Sequence, residues 1–206
     1  MRIHGMIKST TVNGPGDRAL IHVQGCVLKC AGCWNPETHD INPSTETDED
    51  YIFNWILKNA KDGITFSGGE PIHQIVELEN LIYRIKAAKP KLSVGIYTGY
   101  SLKELDNSKY VVSSFYKYVP MNSRNPWLNI KKNLDFAVMG RFNQSQTDVS
   151  RPLLSSKNQE LVLFSNRYTI SDFEQQEIEF TIGNNGMVQI TGFPVNMPNL
   201  LLKRNW

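Results

Sequence analysis

Short apolar runs alternate along this chain with segments whose apolar residues recur at helical spacing. Ala19 to Gly25, carrying Leu20, Ile21 and Val23, follows the turn formers Asn13-Gly14-Pro15-Gly16-Asp17-Arg18 and reads as a buried strand entered from a turn. Tyr51, Ile52, Trp55 and Ile56 fall on one helical face. The acidic run Glu46 to Asp50, after Asn42-Pro43-Ser44-Thr45, places carboxylates at that helix's first turn, where its dipole favours them. Asp62-Gly63 breaks the helix, and Ile64-Thr65-Phe66 predicts a short strand ending in Ser67-Gly68-Gly69-Glu70-Pro71. Ile75, Leu78, Ile82 and Ile85 form the inner stripe of a helix over 72–88, and Leu92 to Tyr97 predicts a third strand ending in Thr98-Gly99-Tyr100.

Strand, helix, strand, helix, strand implies an α/β fold with a parallel sheet and right-handed crossovers. Beyond Tyr100 the periodicity weakens. A short helix is predicted over 102–105, strands over 134–139 and 160–164, and a hairpin of 177–182 with 187–191 across Gly183-Asn184-Asn185-Gly186. Thr191-Gly192-Phe193-Pro194 reads as an ordered closing strand, whereas the stretch 109–133, with its aromatics and two prolines, has no clear period and reads as an insertion. The organisation expected is a single domain over 1–206, with a core over 1–165 and a C-terminal appendage over 166–206.

Composition narrows the function. A chain of 206 residues with 40% hydrophobic content can bury a substantial core. Lys and Arg number 22 against 20 Asp and Glu, and the net charge of +2 gives no support to a nucleic-acid partner. No apolar stretch approaches the length of a membrane span, and Met1-Arg2-Ile3-His4-Gly5 lacks the apolar core of a leader, so a soluble cytoplasmic protein without a membrane partner is expected.

All three cysteines, Cys26, Cys30 and Cys33, fall within eight positions, spaced Cys-x3-Cys-x2-Cys and followed by Trp34-Asn35-Pro36. So compact a group cannot form a long-range disulfide framework, and in a reducing compartment it reads as a metal site. Thiolate sulfur suits an iron–sulfur cluster, and three ligands on a four-iron cube leave one iron open to a substrate or cofactor. The rival is a zinc site completed by His39 or His22. Gly68-Gly69-Glu70-Pro71 ends the next predicted strand and therefore shares a rim with the cysteine loop. Its glycines let a ligand approach the backbone, and Glu70 offers a carboxylate to an ammonium group.

Together these residues resemble the radical S-adenosylmethionine superfamily. Asn13-Gly14-Pro15-Gly16-Asp17-Arg18, Gln24-Gly25-Cys26 and Cys33-Trp34-Asn35-Pro36 are similar to the glycyl-radical-enzyme activases. Tyr97-Thr98-Gly99-Tyr100, Gly140-Arg141-Phe142, Asn158-Gln159 and Gly32 resemble the branch that activates anaerobic ribonucleoside-triphosphate reductases. Two segments depart from that branch: Leu154-Ser155-Ser156-Lys157 stands before the Asn-Gln pair, and Met139 before Gly140, where an Arg-Gly-Ser-type segment and an aspartate are usual. The resemblance implies a partial (β/α) barrel of radical SAM type, with mostly parallel strands and a small C-terminal β-hairpin. It implies a [4Fe-4S] cluster held by Cys26, Cys30 and Cys33, and S-adenosylmethionine whose methionine end is cradled by Gly68, Gly69 and Glu70. Trp34 and Asn35 would lie near the adenine, and Thr98 or Tyr100 near the ribose or the substrate mouth. The resemblance also implies that the reduced cluster would pass one electron to the sulfonium, breaking a carbon–sulfur bond to give methionine and a 5′-deoxyadenosyl radical. The partners implied are a glycyl radical enzyme, foremost anaerobic ribonucleotide reductase, and a flavodoxin- or ferredoxin-type electron donor. The alternatives are a radical enzyme for a small molecule or peptide, and a non-catalytic iron–sulfur or zinc module.

The outer residues carry plainer readings. Trp34 is either a packing aromatic or a cofactor contact, and His22 a core or rim histidine. His73 is expected in solvent, ahead of capping the helix after Glu70 or lining the pocket, Arg18 at a surface pair or on a carboxylate, and the aromatics from Tyr110 to Tyr118 under the insertion or in a docking patch.

Overall fold

A computed structural model of the chain describes residues 1–41, 46–112, 124–173, 178–182 and 188–192. Six strands form one sheet whose spatial order follows the sequence: β1 (Ile3–Thr10), β2 (Arg18–Val23), β3 (Gly63–Gly68), β4 (Ser93–Thr98), β5 (Phe136–Met139) and β6 (Glu160–Leu163). β2 to β5 are mutually parallel, while β1 and β6 flank them antiparallel and leave the sheet open. The crossovers are α1 (Glu49–Asn59), between β2 and β3, and α2 (Ile75–Ala88), between β3 and β4. Two short helices, α3 (Leu102–Asp106) and α4 (Trp127–Lys131), precede β5.

Alternation along the strands separates two apolar layers. Ile64, Phe66, Val94 and Ile96 meet Ile52 and Ile56 of α1 and Leu78, Ile82 and Ile85 of α2 on the helical face. On β5, Ala137 and Met139 join that layer, whereas Phe136 and Val138 turn to the other face and pack with Leu153, Leu154 and Phe173. α1 starts where Asp48 accepts a hydrogen bond from the Tyr51 amide at 2.9 Å, with Glu49 and Asp50 in its first turn. A separate antiparallel hairpin, β7 (Ile178–Ile182) with β8 (Val188–Gly192), follows the sheet.

Some expectations need correction. β1 was not predicted, and the helix expected from residue 72 starts at Ile75 because Pro71–Gln74 forms a 3-10 turn. α4 lies within the stretch read as aperiodic. The segments at Asn42 to Thr45, Gly183 to Gly186 and Phe193-Pro194, and the aromatics from Phe115 to Tyr118, lie outside the described residues. Arg18 is neither at the surface nor on a carboxylate: it is 0% exposed at the start of β2. Its guanidinium donates to Thr65 Oγ1 at 2.8 Å, Pro15 O at 3.0 Å, Ser93 Oγ at 3.1 Å and Ile64 O at 2.9 Å, fastening together the first residues of β2, β3 and β4. These neutral acceptors and the Phe136 ring, 5.0 Å away, offset the cost of burying the cation.

Candidate functional site

With the parallel strands tied at their starts by Arg18, the chemistry-bearing loops emerge together from their ends. Val23 pairs with Gly68 in the β2–β3 ladder, so the cysteine loop after β2 and the glycine pair ending β3 share a rim. The base of the cysteine loop is cross-tied. Gly25 N donates to Thr38 O at 2.8 Å, and the Gln24 carboxamide donates to Glu37 O at 3.2 Å and Asp40 O at 2.6 Å. His4 Nδ1 and the Gln74 side chain hold Gln24 from β1 and from the 3-10 turn.

The glycines serve a purpose that the sequence did not reveal. Gly68 has φ +93, and a Cβ there would sit 2.7 Å from His22 Cα; a Cβ on Gly69 would sit 2.6 Å from Gly25 O. Gly69 N donates to Val23 O at 2.9 Å and Glu70 N to Gly25 O at 3.0 Å. Backbone meets backbone here, which locks the end of β3 to the root of the cysteine loop.

Cys26, Cys30, Cys33, Trp34, Asn35, Gly68, Gly69, Glu70 and Thr98 all border one cavity. Cys26 is buried and the other two thiols half-buried. Burial, with Glu70 adding to it, pushes the Cys26 thiol up to about 11, so the metal-free chain holds it protonated and a bound metal must displace that proton. Among the described residues no three His, Cys, Asp or Glu side chains are placed to share a single ion, although His22 and His39 also border the cavity. The fit of a cluster rests instead on the soft donor set and on the opening that the three thiols border.

Glu70 is 1% exposed. Its carboxylate accepts hydrogen bonds from Ile72 N at 2.9 Å, Thr98 Oγ1 at 2.9 Å and Gly99 N at 2.7 Å, spanning the ends of β3 and β4. Burial pushes its pKa up to about 7 against the pull of those three donors. Two donors meet Oε1 and one meets Oε2, which leaves Oε2 room for one more.

Among the outer residues, His73 falls differently from expectation. His73 is 1% exposed, bonded through Nε2 to the Tyr100 hydroxyl at 3.2 Å, and burial lowers its pKa to about 4, so it is neutral rather than solvated. Tyr100 belongs to the helical-side core and Thr98 alone of that pair borders the cavity. His22 touches the site. Trp34 both borders the cavity and packs on Phe142, ring centroids 6.0 Å apart. Asn13, Phe142 and Gln159 were noticed only as parts of motifs, yet they line the same space, joined by Val138, Leu153 and Thr191. Gln159 donates to Gly140 O at 3.0 Å and accepts from Ser155 N at 2.9 Å, knotting the segment that replaces the usual Arg-Gly-Ser.

A family profile described as 4Fe-4S single cluster domain matches residues 12–162. The anaerobic ribonucleoside-triphosphate reductase-activating protein of Escherichia coli K12 is 36% identical over 119 residues, which cover 54% of this chain and 77% of that protein. Its counterpart in Vibrio cholerae is 30% identical over 176 residues, covering 80% of this chain and 99% of that protein. The pyruvate formate-lyase-activating enzyme of Staphylococcus epidermidis is 41% identical over 92 residues, 41% of this chain and 37% of that protein. The solved structure of QueE from Escherichia coli overlaps 48% of this chain and 51% of its own, at 22% identity and a TM-score of 0.37, a likeness too slight to bear on the fold.

Proposed function

We infer, from a chain that belongs to the 4Fe-4S single cluster domain family and to the radical S-adenosylmethionine activases, that it installs a glycyl radical on an anaerobic ribonucleotide reductase. Its cofactors are a [4Fe-4S] cluster and S-adenosylmethionine. The observation that supports this reading most is the gathering in one cavity of three cysteines, a glycine-lined backbone junction and a buried carboxylate.

When bound, the cluster and S-adenosylmethionine supply the electron transfer and the carbon radical that takes a hydrogen atom from substrate. The chain binds, orients and shields. Cys26, Cys30 and Cys33 would hold three corners of the cube from a loop braced by Gln24, leaving the fourth iron without a ligand from the chain. Glu70, positioned by Thr98 and the Gly99 amide, would receive the ammonium group at Oε2. Trp34 and Asn35 would flank the adenine. Val138, Leu153 and Phe142 present apolar surface to the same cavity, which limits the water that could quench a radical.

A flavodoxin- or ferredoxin-type donor would supply the electron. We read residues 1–206 as one domain working in the cytoplasm; no helix among the described residues is long and apolar enough to cross a membrane. Anaerobic incubation of cluster-loaded protein with dithionite and S-adenosylmethionine should release methionine and 5′-deoxyadenosine, and adding anaerobic ribonucleotide reductase should give an organic-radical doublet by electron paramagnetic resonance. Absence of the nucleoside under those conditions would overturn the assignment.

A further inference from the structure

One wall of the cavity comes from outside the family match. Among the described residues that border the cavity, every one lies within residues 12–162 except Thr191 and Gly192, at the end of β8. The hairpin they belong to has no ladder to the main sheet among the described residues; side chains dock it. Thr191 Oγ1 donates to Asn13 Oδ1 at 2.8 Å in a buried contact, and Glu179 accepts from Thr11 N at 2.9 Å and from Thr11 Oγ1 at 2.8 Å. Asn13 is itself held, since its carbonyl accepts from Thr65 Oγ1 of β3 at 2.9 Å and its Oδ1 from Thr10 Oγ1 at 3.2 Å. A chain of hydrogen bonds therefore fixes β8 to the strand that ends in the glycine pair. The wall is low: Thr191 is 6% exposed with its hydroxyl turned to Asn13, and Gly192, at φ +99, carries no side chain.

We propose that the C-terminal hairpin is the substrate-side wall of this cavity, and that Thr191, held by Asn13, sets the clearance through which a glycine-bearing polypeptide segment of the partner enzyme reaches the reacting centre. The proposal rests on the activase reading given above. The residues assigned to cluster and cofactor occupy the rim at β2, β3 and β4, whereas Thr191 and Gly192 reach the cavity from the appended hairpin, and a wall without a side chain at Gly192 admits backbone. Hydrogen transfer needs the reacting carbons within about 3–3.5 Å, so a wall that shifts the glycine by about 1 Å separates cofactor cleavage from radical installation.

The test uses the full chain, cluster-loaded, with S-adenosylmethionine, dithionite and purified anaerobic ribonucleotide reductase, and reads two quantities in one sample: 5′-deoxyadenosine formed and glycyl radical spins. Thr191→Trp, which intrudes on the clearance, should lower radical formed per nucleoside by about 10²-fold. Thr191→Val, nearly isosteric but without the Asn13 hydrogen bond, should lower it by about fivefold, and should speed amide exchange in β7 and β8 in protein without partner. The exchange measurement reads the hairpin independently of catalysis and keeps the proposal testable if the Trp variant does not fold. An unchanged ratio in both variants would overturn the proposal, as would a proportional fall of nucleoside and radical together, since the hairpin would then bear on the cofactor rather than the substrate. A wild-type chain that forms no nucleoside defeats the activase reading itself, a separate outcome.

Discussion

Cys26→Ala, Cys30→Ala and Cys33→Ala should each lose the iron–sulfur chromophore and bring cleavage of S-adenosylmethionine below detection, while a cooperative unfolding transition persists. The two halves of this expectation come from different parts of the molecule. A cube with only two protein thiolates loses one of its anchoring corners, and no other soft donor among the cavity's residues replaces it. The sheet's stability, by contrast, comes from Ile64, Phe66, Val94 and Ile96 against α1 and α2, and from the Arg18 fastening at the opposite ends of the strands. Cys26 is the most buried of the three, so its variant should show the largest loss of stability. Iron and sulfide analysis, visible absorption and urea unfolding on the same preparation check all three statements. A variant with full cleavage activity would remove that cysteine from the ligand set.

Binding of S-adenosylmethionine should weaken as the pH falls below about 7, and Glu70→Gln should abolish that dependence. Burial raises the Glu70 pKa from 4.5 to about 7, so the folded protein retains a proton that the unfolded chain has released between those values. Glu70 therefore costs stability as pH rises from about 4.5 towards 7, and the cost levels off above 7. An ammonium group binds the charged carboxylate, so its affinity follows the opposite direction and falls by up to about tenfold per pH unit below 7. The Gln variant carries an amide that donates where Glu70 accepts from Ile72, Thr98 and Gly99, leaving at least one of those donors unpaired. It should lose about 1–3 kcal/mol of stability and bind the cofactor weakly at every pH while retaining iron. Calorimetric titration between pH 5.5 and 7 decides the matter, and an affinity that is flat for the wild type would free Glu70 from the ammonium role.

How much of this could be read from the amino-acid order varied with the range of the interactions involved. β2, β3, β4, α1 and the hairpin follow from runs and periodicities within a dozen residues, and the cysteine and glycine motifs fall at strand ends where parallel sheets gather their loops. β1 escaped because its burial does not alternate and its pairing with β2 shifts register twice, which erases the period of two. Arg18 misled because its acceptors, Pro15 O apart, are carbonyls and hydroxyls brought in by β3 and β4, 46 to 75 residues away, and no local pattern announces neutral partners for a cation. His73 misled because the 3-10 turn after Glu70 tucks its ring against Tyr100, whereas the uninterrupted helix expected there left it facing solvent. The glycine pair was found for a reason only half visible: the sequence marks two small residues at a rim, but the need for them comes from the Gly25 and His22 backbones. Thr191 could not have been found at all, since its contact with Asn13 spans 178 residues.

The central claim is a coordination position left open at an iron cube bordered by Glu70 and the two glycines. Electron paramagnetic resonance of the dithionite-reduced, cluster-loaded chain, recorded before and after adding S-adenosylmethionine, tests it most directly. A reduced cluster signal whose g values shift on addition is the predicted result. A colourless protein containing one zinc per chain and giving no such signal, or a cluster signal indifferent to the cofactor, would contradict it.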